Sequence, residues 1–194
     1  MLAYDTRDDY EIIEGEKFMA ASPNWGHVNI TANLIGTIGV YARINKLGVA
    51  VADNFDVHFP DGSLFRPDFI FVSSANEKLF LDNESTTLHG VPDMVAEIFS
   101  RSTMKRDMGI KKDTYERNGV KEYWIINPWS RSIEVYLLRE GKYFLDEVYH
   151  NCSEDELNEM TDEERAAVKF EMPVNVLDGF KVKIKNIFNW YFED

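Results

Sequence analysis

The 194-residue sequence predicts a mixed α+β (α/β) fold with a central sheet. Three observations support this prediction. The elements follow in the order hairpin, helix, strands, helix and strands. Several of the strands are uninterrupted apolar runs, which are typical of strands buried on both faces. The apolar share of 44% is that of a globular protein with a substantial core, so we expect residues 1–194 to form a single domain.

The chain begins with a predicted hairpin and a predicted helix. Tyr10–Ile13 and Lys17–Ala20 are expected to be strands joined by a turn at residues 14–16. Residues 22–24 (Ser-Pro-Asn) interrupt the chain and introduce the helix, which we expect to end at Gly48. Its buried face is predicted from apolar residues at helical spacing, namely Ile30, Leu34, Ile38 and Tyr41.

Four segments then predict the strands of the sheet. Residues 55–59 alternate between apolar and polar, which indicates a half-buried strand ending in a turn at residues 60–63. The polar residues 73–90 are expected to form a surface excursion. Three further runs are apolar on both faces and predict central strands: residues 64–72, 93–99 and 122–126.

The second half of the chain is predicted to contain a helix, a hairpin and a closing helix. The first helix runs from about Met104 to Asn118, and Gly119 stands where a helix-ending glycine belongs. Residues 133–136 and 143–148 form the hairpin. A strand near residues 180–182 and an apolar helix around residues 187–191 are expected to close the domain.

Residues 153–168 are densely acidic, and Thr161 to Glu164 has the form of a capping box. We expect this segment to be an acidic insertion that contains one or two short, exposed helices.

The composition excludes several classes of protein. No run approaches the roughly 18 apolar residues that a membrane span needs, and the polar, acidic N-terminus predicts no signal peptide. The single cysteine, Cys152, excludes an internal disulfide and a cysteine-based zinc site. These features predict a cytoplasmic protein without a membrane partner.

The net charge of −13 argues against a protein that coats nucleic acid by bulk electrostatics. It still allows an enzyme that contacts a few phosphates through a local patch. Lys105, Arg106 and Lys112 form the clearest basic cluster of the chain, and we expect them to contact nucleic acid. A solvated helix start would have the same composition.

Two carboxylates lie within predicted buried strands. Asp68 precedes one apolar run, and Glu97 interrupts another. Acidic side chains are rarely buried unless they are paired or bind a metal, and two carboxylates that converge form the oxygen-rich site suited to Mg²⁺ or Mn²⁺. The alternative is that each lies in solvent at a strand end or pairs with an arginine such as Arg66.

The helix after Glu97 carries a polar stripe. Thr103, Asp107, Lys111 and Tyr115 recur every four residues, so their side chains are predicted to share one helical face. If this face is directed at the sheet, Lys111 approaches Glu97. The alternative is a solvated charge ladder in which Asp107 and Lys111 form an exposed pair.

His27 lies at the start of the apolar stripe of the first helix. Two interpretations are open, a ligand or proton carrier and a hydrogen-bonded core histidine. The other histidines have no spacing typical of a metal site.

A series of motifs carries a resemblance to a known family. They are Arg66-Pro67-Asp68, residues 95–103, Asp107, Lys111, Tyr115 and residues 119–128. In this order they resemble the Uma-two family of restriction endonucleases, which belongs to the PD-(D/E)XK nuclease superfamily. The similarity extends from Gly15 and His27 to about Tyr149, and again over residues 176–182.

The resemblance implies a restriction-endonuclease-like fold, in which helices flank a central mixed sheet, here with an N-terminal hairpin. Its implied metal ligands for Mg²⁺ or Mn²⁺ are Asp68, Glu97 and the backbone carbonyl of Ile98. Its implied catalytic residues are Asp68, Glu97 and Lys111. The residues implied to surround and orient them are His27, Asp107 and Tyr115.

The chain departs from the family pattern at three places. In the superfamily motif a lysine follows the glutamate by two residues, where this chain has Phe99, so Lys111 would have to reach back from the next helix. Arg101 stands where family members commonly have proline. The acidic residues 153–168 have no counterpart in the family pattern.

The sequence therefore predicts a metal-dependent endonuclease that hydrolyses phosphodiester bonds, with DNA as the expected substrate and a homodimer allowed. Two alternatives remain open. One is a catalytically silent nuclease-fold module that acts in dimerisation or DNA tethering, which the acidic surface favours. The other is a metal-dependent hydrolase of another phosphorylated substrate. The joint presence of Asp68, Glu97 and Lys111 favours an enzyme.

Overall fold

The strands of the computed structural model, which describes residues 10–13, 15–19, 24–52, 55–79, 87–100 and 107–190, form two larger sheets and one strand pair. In chain order they are β1 (Tyr10–Ile13), β2 (Glu16–Met19), β3 (Gly48–Ala52), β4 (Asp56–His58), β5 (Leu64–Phe65), β6 (Phe69–Ser73), β7 (Thr87–His89), β8 (Met94–Ile98), β9 (Glu122–Asn127), β10 (Ser132–Arg139), β11 (Lys142–His150), β12 (Glu171–Pro173) and β13 (Lys181–Lys183).

The helices of the described residues are short. They are α1 (Trp25–Leu34), α2 (Val40–Ile44), α3 (Lys112–Asn118), α4 (Glu154–Glu159), α5 (Asp162–Ala167) and α6 (Ile184–Phe188). A π-helical turn, Ile35–Gly39, joins α1 to α2, and a second one, Asp107–Lys111, leads into α3. A 3₁₀ segment occupies Ser74–Leu79. None of the helices in the described ranges is long and apolar enough to span a membrane.

The main sheet has the strand order β11-β10-β9-β8-β6-β3 in the described part of the chain. β8 and β9 are parallel, whereas the other neighbours are antiparallel, so the sheet is mixed. A parallel pair requires a crossover connection, and α3 lies in it. The predicted mixed α+β fold is thereby confirmed, and β6, β8 and β9, at the centre of the sheet, correspond to the three apolar runs.

Both faces of the main sheet are covered by apolar side chains. Successive strand residues point to opposite faces, so Ala96 and Ile98 join one hydrophobic cluster, whereas Val95 and Phe99 join the other. The first cluster includes α1, α2 and α6, and the second includes α3 and the small sheet. Glu97 shares the face of Val95 and Phe99, and therefore lies on the α3 side.

The start of α1 matches the prediction. The side chain of Asn24 caps the helix by accepting a hydrogen bond of 3.1 Å from the backbone N–H of His27. The predicted apolar stripe is buried at Ile30, Leu34 and Ile38 and half-buried at Tyr41.

The predicted end of this helix at Gly48 is wrong. α2 ends at Ile44, and Gly48 is the first residue of β3. Glycine is needed there because a Cβ would lie 2.3 Å from the carbonyl oxygen of Val72 on the paired strand.

The predicted strand at residues 64–72 is in fact two strands in two sheets. β5 belongs to the small sheet, of order β2-β1-β5-β4-β7, whereas β6 belongs to the main sheet. Pro67 lies between them and has no N–H to donate to a ladder. The predicted surface excursion at residues 73–90 is wrong in part, because β7 lies within it, pairs parallel with β4 and buries Leu88.

The acidic segment forms the short exposed helices that its sequence predicts. α4 and α5 each begin with a complete capping box, Ser153 with Glu156 and Thr161 with Glu164. The closing strand is β13, and it pairs with β12, which the sequence pattern did not predict. α6 buries Ile187 and Phe188, whereas Tyr191 lies outside the described residues.

Asp93, which precedes β8, connects the end of β6 to the residue before β9 through hydrogen bonds to its carboxylate. Its carboxylate accepts hydrogen bonds from the backbone N–H of Ser73 (2.8 Å), Lys121 Nζ (2.6 Å) and Asn76 Nδ2 (3.0 Å). Burial by itself would raise the pKa of Asp93, but the hydrogen bonds from Lys121, Ser73 and Asn76 outweigh it and hold the pKa below the ordinary value of 3.8.

We expect Asp93→Asn to lower the free energy of unfolding at neutral pH by about 1–3 kcal/mol, because it weakens hydrogen bonds to a buried charged acceptor. The folded pKa lies below the ordinary value of 3.8. This stabilisation is therefore complete well above that pH and is lost as the pH falls through the folded pKa. Urea denaturation of both proteins should show a difference that shrinks in acid. The exposed Asp178→Asn serves as control, and a pH-independent difference for Asp93 would contradict the assignment.

Candidate functional site

The pairing of β6 with β8 brings the two candidate carboxylates to the same place. In this antiparallel pair Phe69 is opposite Ala96 and Ile70 is opposite Val95, so the next step of the register places Asp68 opposite Glu97. The backbone N–H of Ile98 donates to Asp68 Oδ2 over 2.6 Å, which holds Asp68 against β8. Directly opposed residues have Cβ atoms about 4.5–5.5 Å apart, so the two carboxylates are neighbours.

Glu97 is almost completely buried and is bound by two side chains of the following helical segment. Lys111 Nζ donates to Glu97 Oε1 over 3.0 Å, and the hydroxyl of Tyr115 donates to the same oxygen over 2.6 Å. Glu97 is 2% exposed and Lys111 is 3% exposed. The pair is therefore a buried ion pair, and the exposed charge ladder is wrong for Lys111.

Aromatic rings surround this ion pair. The ring of Tyr115 contacts those of Phe59, Phe65 and Tyr123, with centroids 5.6, 5.3 and 5.1 Å away. Lys111 Nζ lies 5.8 Å from the centroid of Phe65. These apolar walls exclude water from the pair and strengthen its electrostatic interaction.

The polar stripe predicted from helical spacing is present at Lys111 and Tyr115, the two members whose side chains the structure describes. Lys111 is the last residue of a π-helical turn that begins at Asp107. The side chain of Asp107 and all of Thr103 lie outside the described residues. Lys111 and Tyr115 do share a face, because α3 continues in regular α-helical geometry.

The neighbouring Lys112 is directed away from Glu97. Its Nζ lies 3.6 Å from the centroid of the Tyr136 ring on β10, a cation–π contact. Lys105 and Arg106, the other members of the predicted basic cluster, lie outside the described residues. Of the three residues of this cluster, the structure therefore describes Lys112 alone.

His27 approaches Asp68 from α1. Its Nε2 lies 3.2 Å from Asp68 Oδ1, and the two side chains are 12% and 18% exposed. Arg66, considered above as a partner for Asp68, instead donates through Nε to Asp56 Oδ1 over 2.8 Å. The structure thus joins His27, Asp68, Glu97, Lys111 and Tyr115 in one constellation.

The comparisons with known proteins identify the family of this chain. A family model described as "Uma2: Putative restriction endonuclease" matches residues 2–175. The chain belongs to this family. No match was found among curated proteins.

A solved structure shows the same fold. A crystal structure of "a putative nuclease belonging to DUF820" from Anabaena variabilis ATCC 29413 has a TM-score of 0.73 and 17% identity, covering 96% of this chain and 93% of that chain. This likeness shows the nuclease-type fold alone. The type IIG restriction endonuclease BpuSI is similar over 67% of this chain and 14% of its own length, with 11% identity. Its TM-score of 0.39 is too low to support an argument.

Pro67 explains how the carbonyl of Ile98, which the family resemblance implies as a metal ligand, can be left for a metal; the sequence analysis assigned no role to this proline. The N–H of Phe99 donates to Ile126 on β9 over 2.8 Å, so the N–H and C=O of Ile98 are directed to the other side, towards β6. The register places residue 67 opposite Ile98, and proline has no N–H to donate to the Ile98 carbonyl. A proline beside an acidic strand residue is the sequence signal of this arrangement.

The donors of this site fit a hard divalent cation. The carboxylates of Asp68 and Glu97 and the carbonyl of Ile98 are all oxygen ligands, as Mg²⁺ and Mn²⁺ prefer. Within the described ranges, no group of three or more His, Cys, Asp or Glu side chains could hold a metal. Asp68, Glu97 and the Ile98 carbonyl offer three kinds of oxygen ligand, so an octahedral ion held here would keep water in its remaining positions.

The burial of the ion pair leads to a stability prediction. Lys111→Met alone should lower the free energy of unfolding by about 3–5 kcal/mol, because it leaves the Glu97 carboxylate buried and uncompensated. Combining it with Glu97→Gln should restore part of this loss, since the buried charge is removed. Urea denaturation of the parent, both single variants and the double variant measures this coupling.

Lys112→Met is the matched control, because it removes a neighbouring lysine from an aromatic contact worth about 1 kcal/mol. Equal losses for Lys111→Met and Lys112→Met, or strict additivity in the double variant, would contradict a buried Glu97–Lys111 pair.

Proposed function

We propose that this chain is a metal-dependent nuclease that hydrolyses phosphodiester bonds in DNA through Asp68, Glu97 and Lys111. The observation that carries the proposal is the position of Glu97, which lies opposite Asp68 in the strand register and accepts hydrogen bonds from the buried Lys111 and Tyr115. Membership of the restriction endonuclease family supports the reaction class.

Asp68, Glu97 and the carbonyl of Ile98 would hold Mg²⁺ or Mn²⁺. When bound, such an ion polarises the scissile phosphate and lowers the pKa of its water, so that hydroxide is available near neutral pH. The N–H of Ile98 orients the Asp68 carboxylate from one side, and His27 does so from the other. Tyr115 fixes the Glu97 carboxylate, so the donors are positioned before substrate arrives.

Lys111 supplies the positive charge of the site. Its ammonium group is held at 3.0 Å from Glu97 Oε1 within aromatic walls, so its position is fixed and poorly hydrated. A fixed cation orients the attacking water and stabilises the negative charge that develops on the phosphoryl oxygens. This role takes the place of the lysine that the superfamily motif has two residues after the glutamate, where the chain has the buried Phe99.

Phosphate contacts outside the site are assigned to Lys105, Arg106 and Lys112. With a net charge of −13, binding to DNA must depend on such a local patch. The cation–π contact with Tyr136 holds the half-buried Lys112, the first residue of α3, against β10. Asp107 completes the proposal as a supporting residue at the start of the π-helical turn.

The first test concerns the metal. Isothermal titration calorimetry with Mn²⁺ should show binding to the parent protein and at least tenfold weaker binding to Asp68→Asn, because one of two carboxylate ligands is lost. Asp178→Asn removes an exposed carboxylate elsewhere and should bind as the parent does. Equal binding by Asp68→Asn and the parent would refute the assignment of Asp68.

The second test separates the two adjacent lysines in plasmid nicking with Mn²⁺. Lys111→Gln should lower turnover by about a hundredfold or more, because it removes a positioned charge. Lys112→Gln should keep most of the turnover, bind DNA more weakly and show a flatter salt dependence, because fewer counterions are released. Circular dichroism of each variant verifies folding.

An inactive Lys112→Gln beside an active Lys111→Gln would overturn the role given to Lys111. A parent protein that cleaves no nucleic acid with any divalent metal would favour the silent nuclease-fold module instead.

A further inference from the structure

Two exposed tryptophans stack on each other at the surface. Trp25 and Trp190 are each 64% exposed, and their ring centroids are 5.7 Å apart with 22° between the ring planes. Indole rings provide large apolar surfaces, and here each ring covers only one face of the other. The pair therefore presents a flat aromatic surface to solvent.

Hydrogen bonds behind the rings hold this surface in place. Trp25 is the first residue of α1, and Trp190 follows Asn189 near the end of the described chain. The backbone carbonyl of Asn189 accepts hydrogen bonds from Asn33 Nδ2 (2.8 Å) and Asn29 Nδ2 (3.3 Å), both on α1. The two tryptophans are thus carried by segments that are bonded to each other, which lowers the entropic cost of binding a planar ligand.

The aromatic pair lies at the same end of α1 as the candidate active site. His27 follows Trp25 by two residues, about 3 Å along the helix axis, and its Nε2 lies 3.2 Å from Asp68 Oδ1. Two residues are also about 200° apart around an α-helix, so a polynucleotide strand whose scissile phosphate lies at Asp68 and Glu97 reaches Trp25 and Trp190 by passing around the N-terminal end of α1.

An exposed cation accompanies the pair. Arg131 and Trp190 both line a cavity of about 120 Å³ between α1 and α6. The guanidinium group donates to Asn189 Oδ1 over 2.7 Å and lies 5.7 Å from the Phe188 ring centroid. Both of these partners are uncharged, and the acidic group that interacts with Arg131 electrostatically is Glu156. The exposed guanidinium group is a cation beside Trp190 in a chain whose net charge is −13.

We infer that Trp25 and Trp190 stack against an unpaired base of the substrate strand, and that Arg131 contacts a phosphate of the same strand. Bases within a duplex stack on each other and do not offer their faces, whereas unpaired bases stack on aromatic side chains next to a cationic group. The inference rests on the proposed function and narrows its substrate to strands with an unpaired base near the cleavage point.

A second copy of the chain fits this surface less well. A stable protein interface buries about 800 Å² on each partner, far more than two indoles present. The small cavity and the adjacent cation match a nucleotide better than a protein surface.

The test measures binding without cleavage. Fluorescein-labelled oligothymidylate and a duplex of equal length are titrated with the full chain in the presence of a chelator, and anisotropy gives both affinities. We expect the single strand to bind more tightly than the duplex. Trp25→Ala and Trp190→Ala should each weaken single-strand binding by about fivefold or more, because one stacking partner is lost, and Trp25→Phe should retain most of the affinity.

Phe144→Ala is the matched control, because Phe144 is 53% exposed on β11, in neither the cavity nor the candidate site. It should leave binding unchanged. Unchanged single-strand binding by both tryptophan variants would overturn the inference, and so would equal losses for duplex and single strand. A parent dimer that dissociates on Trp25→Ala, with strand binding unaffected, would assign the surface to a second copy instead.

These outcomes are separate from those of the proposed function, because no metal or cleavage is required. If strand binding depends on the tryptophans but the protein never cleaves, the role inferred for Trp25 and Trp190 is supported and the proposed nuclease function is contradicted. If the protein cleaves but strand binding does not depend on either tryptophan, the proposed nuclease function is supported and the role inferred for Trp25 and Trp190 is contradicted.

Discussion

The register between β6 and β8 is the constraint on which the candidate site depends. It places Asp68 opposite Glu97, and a shift by one residue would turn Glu97 to the opposite face, away from Lys111 and α3. The register is strongly specified because both faces of β8 are buried, with Ala96 packed on one side and Val95 on the other. Ordinary hydrophobic packing at the centre of the sheet thereby positions two carboxylates at its end.

The Glu97–Lys111 ion pair fixes the positions of its two side chains more than it stabilises the fold. Removing two charges from water costs several kcal/mol per ion, and a well-packed apolar pair would often be as stable. Only Glu97 and Lys111 together avoid a buried uncompensated charge, and the hydroxyl of Tyr115 adds a third polar group to the same carboxylate oxygen. Such a costly arrangement at the end of a sheet is typical of functional sites, which is in line with the catalytic role that we propose for the pair.

Much of the fold and part of the site follow from the sequence, for identifiable reasons. Apolar runs predict β6, β8 and β9 because central strands are buried on both faces, and the spacing of four predicts that Lys111 and Tyr115 share a face. The π-helical turn before Lys111 was not predictable, because it is a change in backbone hydrogen bonding without a sequence pattern. The assignment of residues 64–72 to two sheets, and the approach of Trp25 to Trp190, depend on long-range pairing that periodicity does not reveal.

The distances along the chain between the site residues have a consequence for folding. Lys111 and Tyr115 are 14 and 18 residues from Glu97, within a single strand–helix–strand unit, whereas Asp68 is 30 residues from the N–H that holds it. The entropic cost of closing a loop rises with its length, so the contact between Glu97 and Lys111 is the least costly to close. In the order of assembly, the half of the site that carries the lysine is therefore favoured to form first, and Asp68 completes it when β6 joins the sheet.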